Sequence, residues 1–131
     1  MGYESKLYVV DVKDDSVDMC LGPKGMKWGQ VIATFELSVF EPVRNYFRTR
    51  TNTDCYIYAD DGNTIILEDR YGNPLTESNI EPLVNLLKEE ALDDSFGGQP
   101  YRRIKPCLAM LEMFMLNSSQ WGNLKVLHYG Y

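Results

Sequence analysis

The sequence predicts an α+β fold: a mainly antiparallel four- to five-stranded sheet, two longer helices on one face, and a short helix between strands. Three observations lead there. Apolar patterning runs along the chain in the order strand, strand, short helix, strand, strand, helix, helix, strand. Asp60-Asp61-Gly62-Asn63 separates two β-rich runs, a hairpin signal because Asp and Gly tolerate the positive φ of a tight primed turn. Beyond it, two long stretches carry apolar residues at helical spacing.

In order, residues 6–12 (KLYVVDV) form a strand rich in β-branched and aromatic residues. Leu7, Val9 and Asp11 fall on one side, and Tyr8, Val10 and Val12 on the other. Residues 13–16 make a charged turn, 17–21 a short strand, and Gly22-Pro23-Lys24-Gly25 a loop. In the strand predicted over 28–39, Val31, Ala33, Phe35 and Leu37 share one face; Ile32, Thr34 and Glu36 share the other. A short helix follows over 42–48, with Pro42 in its first turn and a buried stripe of Val43, Tyr46 and Phe47. Residues 49–53 are a polar connection.

The hairpin joins 55–59 to 64–68. A two-residue loop at Asp61-Gly62 places Tyr58 opposite Ile65, Ile57 opposite Ile66 and Tyr56 opposite Leu67. Cys55, Ile57, Ala59 and Ile66 then share one face, and Tyr56, Tyr58, Ile65 and Leu67 the other. Two apolar faces predict a place near the sheet centre and a cover for each face.

Tyr71-Gly72-Asn73-Pro74 is a turn. A helix follows, capped at Ser78 or Asn79, with Ile80, Leu83, Val84, Leu87 and Ala91 on its buried face. The breaker 93–99 precedes a second helix over 101–117, starting properly near Lys105-Pro106. Ile104, Cys107, Leu108, Leu111 and Phe114 or Met115 line one side, and Met110 and Met113 widen the arc, predicting a sandwiched helix. Residues 124–129 (LKVLHY) form the last strand. Trp28-Gly29-Gln30-Val31 and Trp121-Gly122-Asn123-Leu124 echo one another, and both Trp residues are read as plugs at the sheet ends.

A chain of 131 residues is one domain, 1–131, with room for a core that needs neither disulfide nor metal. The net charge of −6 argues against direct nucleic-acid binding and against an anionic membrane surface. No apolar run approaches the roughly 18 residues that span a bilayer. Met1-Gly2 opens a faint myristoylation pattern, rejected because Lys6 stands where Ser or Thr is required. Cys20, Cys55 and Cys107 form no CxxC pair and accompany no secretory signal, so they read as reduced thiols of a cytoplasmic protein.

Little catalytic chemistry is legible. His128 is the single histidine and has no Ser or Cys motif beside it; GxSxG, HExxH and Walker patterns are absent. Asp54, Asp60, Asp61, Glu68 and Asp69 gather on the hairpin, but without calcium-loop spacing, and strand length separates its tip from its base. No catalytic residue, metal ligand or cofactor is assigned. Nine Tyr, two Trp and five Phe accompany interspersed arginines, a mixture that suits protein interfaces and equally suits aromatics rimming a core. The interaction candidates are Tyr56, Tyr58, Asp60, Asp61, Ile65, Leu67 and Tyr71.

Several stretches resemble a family of small phage and prophage proteins of Gram-positive bacteria: MGYESKLYVV at the start, WGQVIA from Trp28, DCYIYADDGN from Asp54, EDRYG from Glu68, and VLHYGY at the end. The resemblance covers most of the chain and supplies no catalytic residues. It implies a phage accessory protein acting in the host cytoplasm. The leading expectation is therefore a non-enzymatic protein that binds and inhibits a host or antiphage-defence protein, for example a CRISPR effector; homo-oligomers fit too. One alternative binds a small anionic ligand or nucleotide signal through Arg44, Arg48, Arg102 or Arg103. The other is a metal-dependent hydrolase.

Overall fold

The computed structural model describes residues 4–13, 26–38, 41–91, 99–120 and 123–131. Within them the fold is α+β, with strands β1 (Ser5–Lys13), β2 (Lys27–Ser38), β3 (Cys55–Tyr58), β4 (Ile65–Ile66), β5 (Thr76–Ser78) and β6 (Leu124–Gly130). The helices are α1 (Glu41–Arg48), α2 (Ile80–Ala91) and α3 (Gln99–Leu116), with a 3-10 turn at Ser118–Gln120. The strand expected over 17–21, the loop 22–25, Cys20, the breaker 93–98 and Trp121-Gly122 lie outside the described residues.

Among the described residues the sheet has six strands in the order β4-β3-β2-β1-β6-β5, one more than the upper expectation, and it is mixed. β1 pairs antiparallel with β2 and β6, as do β3 with β4 and β5 with β6. β2 and β3 run parallel, through Lys27↔Cys55 and Trp28↔Tyr56. The extra strand, β5, is only three residues long. It offered no alternation long enough to separate it from the cap of the helix that follows.

The strand at one end of this order reaches back toward the other end. Thr53 N donates to Leu75 O (2.8 Å), Glu77 N donates to Thr51 O (3.0 Å), and Asn52 bridges Thr76. Residues 51–53 lead directly into β3, so β5 touches the approach to the opposite side and the sheet curls around an interior. Two β-bulges on β2 supply the bend. Ser5 pairs with Ser38 but Lys6 with Glu36, leaving Leu37 extra; Val9 pairs with Ala33 but Val10 with Val31, leaving Ile32 extra. Each bulge kinks its strand and increases the right-handed twist.

The curl creates two cores. The interior holds Tyr8, Val10, Val12, Cys55, Ile57, Leu75 and Leu127. The outer face carries all three helices over Leu7, Val9, Leu37 and Val126, with Val43 and Phe47 from α1, Leu83, Val84 and Leu87 from α2, and Ile104, Cys107 and Leu111 from α3. The two faces expected of the first strand thus fall in different cores. In β2 the expectation needs correction: Ala33, Phe35 and Leu37 face the helices, whereas Val31 packs on the interior. The bulge at Ile32 reverses the alternation at that point.

Four further expectations are corrected. The hairpin lies at an end of the strand order rather than its centre, because the curl buries its Cys55/Ile57 face without a strand on its far side. The second strand of the hairpin shortens to Ile65–Ile66, and Glu68 makes an isolated bridge to Pro74. α3 starts at Gln99 and carries Pro106 inside it. It is not sandwiched: Met113 and Leu116 are exposed, since the sheet and α2 cover only one side.

Candidate functional site

The hairpin keeps the register read from its turn, with Ile57 opposite Ile66, Tyr58 opposite Ile65, and Ala59 N bonded to Thr64 O (2.8 Å). Its loop spans Asp60 to Asn63 and is organised by one carboxylate. Asp61 Oδ1 accepts from Asn63 N and Thr64 N, each at 2.8 Å, and Oδ2 accepts from Thr64 Oγ1 at 2.6 Å. The hydroxyl bond first, then the two amides, hold the Asp61 carboxyl below its ordinary pKa. Gly62, at φ 74°, takes the left-handed position that such a turn requires. Asp60 is exposed beside it.

A second turn repeats the device. Asp69 Oδ1 accepts from Tyr71 N (2.9 Å) and Asn73 N (3.0 Å), and Gly72 sits at φ 83°. Arg70 N donates to Gly130 O (3.0 Å), fastening this turn to the end of β6. Leu67, 38% exposed, and Tyr71, 54% exposed, therefore project from a backbone held by two side-chain-capped turns.

The remaining interaction candidates are less accessible. Tyr56 is 1% exposed, with its ring edge-on to Tyr58 at 5.8 Å. Tyr58 is half-buried and meets Trp28 edge-on at 6.3 Å; Ile65 is half-buried as well. The Tyr56/Tyr58 face is thus closed at Tyr56, partly open at Tyr58 and Ile65, and exposed at Leu67.

A cleft of about 430 Å³ lies where the second turn meets α1 and β6. Arg44 and Arg48 enter it from α1, one turn apart, because Val43 and Phe47 turn the adjacent stripe of that helix into the core, where Phe47 also reaches the cleft. Asp69, Asn73 and Pro74 line the facing wall, and Asn52, Thr76 and His128 contribute from the sheet.

His128 is 6% exposed, and its Nε2 lies 2.9 Å from Ser5 Oγ. Its ring stacks on Phe47. Burial lowers its pKa to about 4; Asp69 opposes the shift and Arg44 adds to it. The imidazole is neutral at pH 7. Ser5 is buried too, so this Ser–His pair ties β1 to β6 and offers no exposed nucleophile. Cys55 and Cys107 are likewise buried, and burial pushes their thiols up to about 11 and about 12. Among the described residues no group of three or more His, Cys, Asp or Glu side chains is placed to hold a metal ion.

Of the anionic-ligand candidates, the structure brings Arg44 and Arg48 together. Arg102 and Arg103 belong to α3, and their side chains lie outside the described residues. Sequence reasoning missed Asn52, Asn73, Thr76 and His128 as companions of the two arginines. The spacing of four between Arg44 and Arg48 was the one local signal; the other four residues meet them only through the curl of the sheet. No helix among the described residues is long and apolar enough to cross a membrane. Comparison with known proteins finds no matching family model, no matching curated protein and no matching solved structure.

Proposed function

We propose that this chain is a non-enzymatic interaction protein that binds a partner protein and thereby inhibits it, with Leu67 and Tyr71 as the anchors of its contact surface. The observation that carries the reading is their joint exposure beside two turns, each held by its own aspartate. A pre-ordered backbone avoids the cost of ordering a loop on docking, and tyrosine is enriched among residues that dominate interface energy. Asp60, with the half-buried Tyr58 and Ile65, extends the surface. The acidic tip suits a partner with a basic rim, where charge sets association rate and orientation.

Catalysis has less support among the described residues: the Ser5 hydroxyl that meets His128 is buried, and the described thiols are buried and protonated. The resemblance to phage and prophage proteins is our ground for taking the partner to be a host or antiphage-defence protein in the host cytoplasm. Pull-down from host lysate tests this with wild type, a Leu67→Ala/Tyr71→Ala variant, and a Met113→Ser/Leu116→Ser variant that alters apolar exposure on α3 instead. The proposal expects one partner retained by wild type and the α3 variant and lost with the hairpin variant. Equal recovery by all three, or no recovery, would count against it.

A further inference from the structure

The cleft between α1 and the turn 69–74 carries an inference separate from partner binding. We infer that it binds a small phosphate-bearing anion, gripped by the guanidinium groups of Arg44 and Arg48.

Charge is the first argument. The whole chain has a formal charge of −6, yet among the described residues two arginines and a single carboxylate line this cleft, and its histidine is neutral. That leaves a local excess of positive charge in a concave site, where low-dielectric walls concentrate the field. The carboxylate, Asp69, points an oxygen into its own turn, accepting from Tyr71 N and Asn73 N. It shapes the wall and positions Asn73, and its charge offsets that of one arginine.

Donor geometry is the second. Residues four apart on a helix are surface neighbours, about 5–6 Å between Cβ atoms. Two guanidinium forks borne one helical turn apart, with the amides of Asn52 and Asn73 and the hydroxyl of Thr76 lining the same cleft, offer more donors than a planar carboxylate accepts. They match a tetrahedral group with several peripheral oxygens, for which arginine's bidentate fork is well suited.

The third argument is support from behind. Phe47 sits between the two arginines in sequence and is fixed in the core against His128. Arg44 and Arg48 therefore project from a helix whose rotation is set by buried contacts. The volume, about 430 Å³, falls within the range of small-molecule pockets and leaves room for an organic group attached to the phosphate.

The test is thermal unfolding of the full chain in inorganic phosphate, a nucleoside monophosphate and acetate, each against chloride at matched ionic strength. A ligand that binds the native state raises the melting temperature by mass action. Wild type is expected to gain stability with either phosphate compound and not with acetate. Arg48→Gln is expected to weaken the apparent affinity about tenfold or more, as loss of a charge-assisted contact does; Arg44→Gln should act likewise. Arg50→Gln removes the same charge outside the cleft, beside Tyr46, and should leave the effect intact. Because Arg48 is exposed, its variant keeps the fold even if Arg44→Gln does not. No stabilisation by phosphate compounds, equal stabilisation by acetate, or equal loss in Arg48→Gln and Arg50→Gln would overturn the inference.

Discussion

The rings of Phe47 and His128 lie nearly parallel, 20° apart in plane, with centroids separated by 5.0 Å. One ring comes from α1 and the other from the last strand, 81 residues further along the chain by subtraction of their numbers. The stack fastens the short helix to the sheet, and His128 passes the constraint to β1 through Ser5. Phe47→Ala removes this contact and leaves a cavity among Val43, Leu7 and their neighbours. The expected loss is about 3–5 kcal/mol, read as a lower urea midpoint. A change below about 0.5 kcal/mol, the size usual for surface substitutions, would refute the placement of α1.

Burial of His128 predicts an acid-sensitive fold. Its pKa in the native state is about 4, below the ordinary 6.5. Between those values the unfolded chain binds the proton and the native chain does not, so stability falls as pH drops from about 7 toward 4. The contribution is at most roughly 3–4 kcal/mol, at about 1.4 kcal/mol per pH unit. Urea titrations at pH 7 and pH 5 of wild type and His128→Gln measure it. The variant should show the smaller pH dependence; identical slopes would dispose of the idea.

Gly29 stands where β2 faces the interior. A Cβ built there would lie 3.3 Å from Val10 Cβ and 3.4 Å from Ile57 Cγ2. A branched side chain has to push these strands apart, so Gly29→Val should destabilise by about 1–3 kcal/mol through overpacking. Chemical denaturation reads the effect, and an unchanged midpoint would mean that the interior is looser than described.

At the hairpin tip, Asp61→Ala removes three hydrogen bonds that order Asn63 and Thr64. Their amides should then exchange faster with solvent, while those of Ile57 and Ile66 in the strands stay protected. Hydrogen exchange by NMR distinguishes this from a general loss of the hairpin, in which all four would speed up together.

The described thiols should be inert in the native state. With Cys20 replaced by Ser, a thiol reagent at pH 8 should label Cys55 and Cys107 only after denaturant is added, because burial both shields them and keeps them protonated. Fast labelling of the native protein would contradict their place in the two cores.

What the sequence determined is what spacing encodes locally. The Asp-Gly turn set Ile57 against Ile66, and the stripe of Ile80, Leu83, Val84 and Leu87 marked the inner face of α2 correctly. The alternation of Leu7 and Val9 against Tyr8 and Val10 separated residues that enter different cores. These patterns are legible because side-chain direction repeats every two residues in a strand and every 3.6 in a helix. Tertiary structure decided the rest. The extra residue at Ile32 shifts the phase of β2 with no mark in its composition. The parallel pairing of β2 with β3 and the bonds from residues 51–53 to 75–77 depend on which segments meet in space. The same is true of the sites. Asp60 and Asp61 drew attention as acids on a hairpin, and the fold makes Asp61 the strut of its turn. Arg44 and Arg48 carried a spacing but no destination. Only the curl of the sheet sets Asn52, Asn73, Thr76 and His128 around them, because periodicity records which side a residue faces and is silent about what lies opposite.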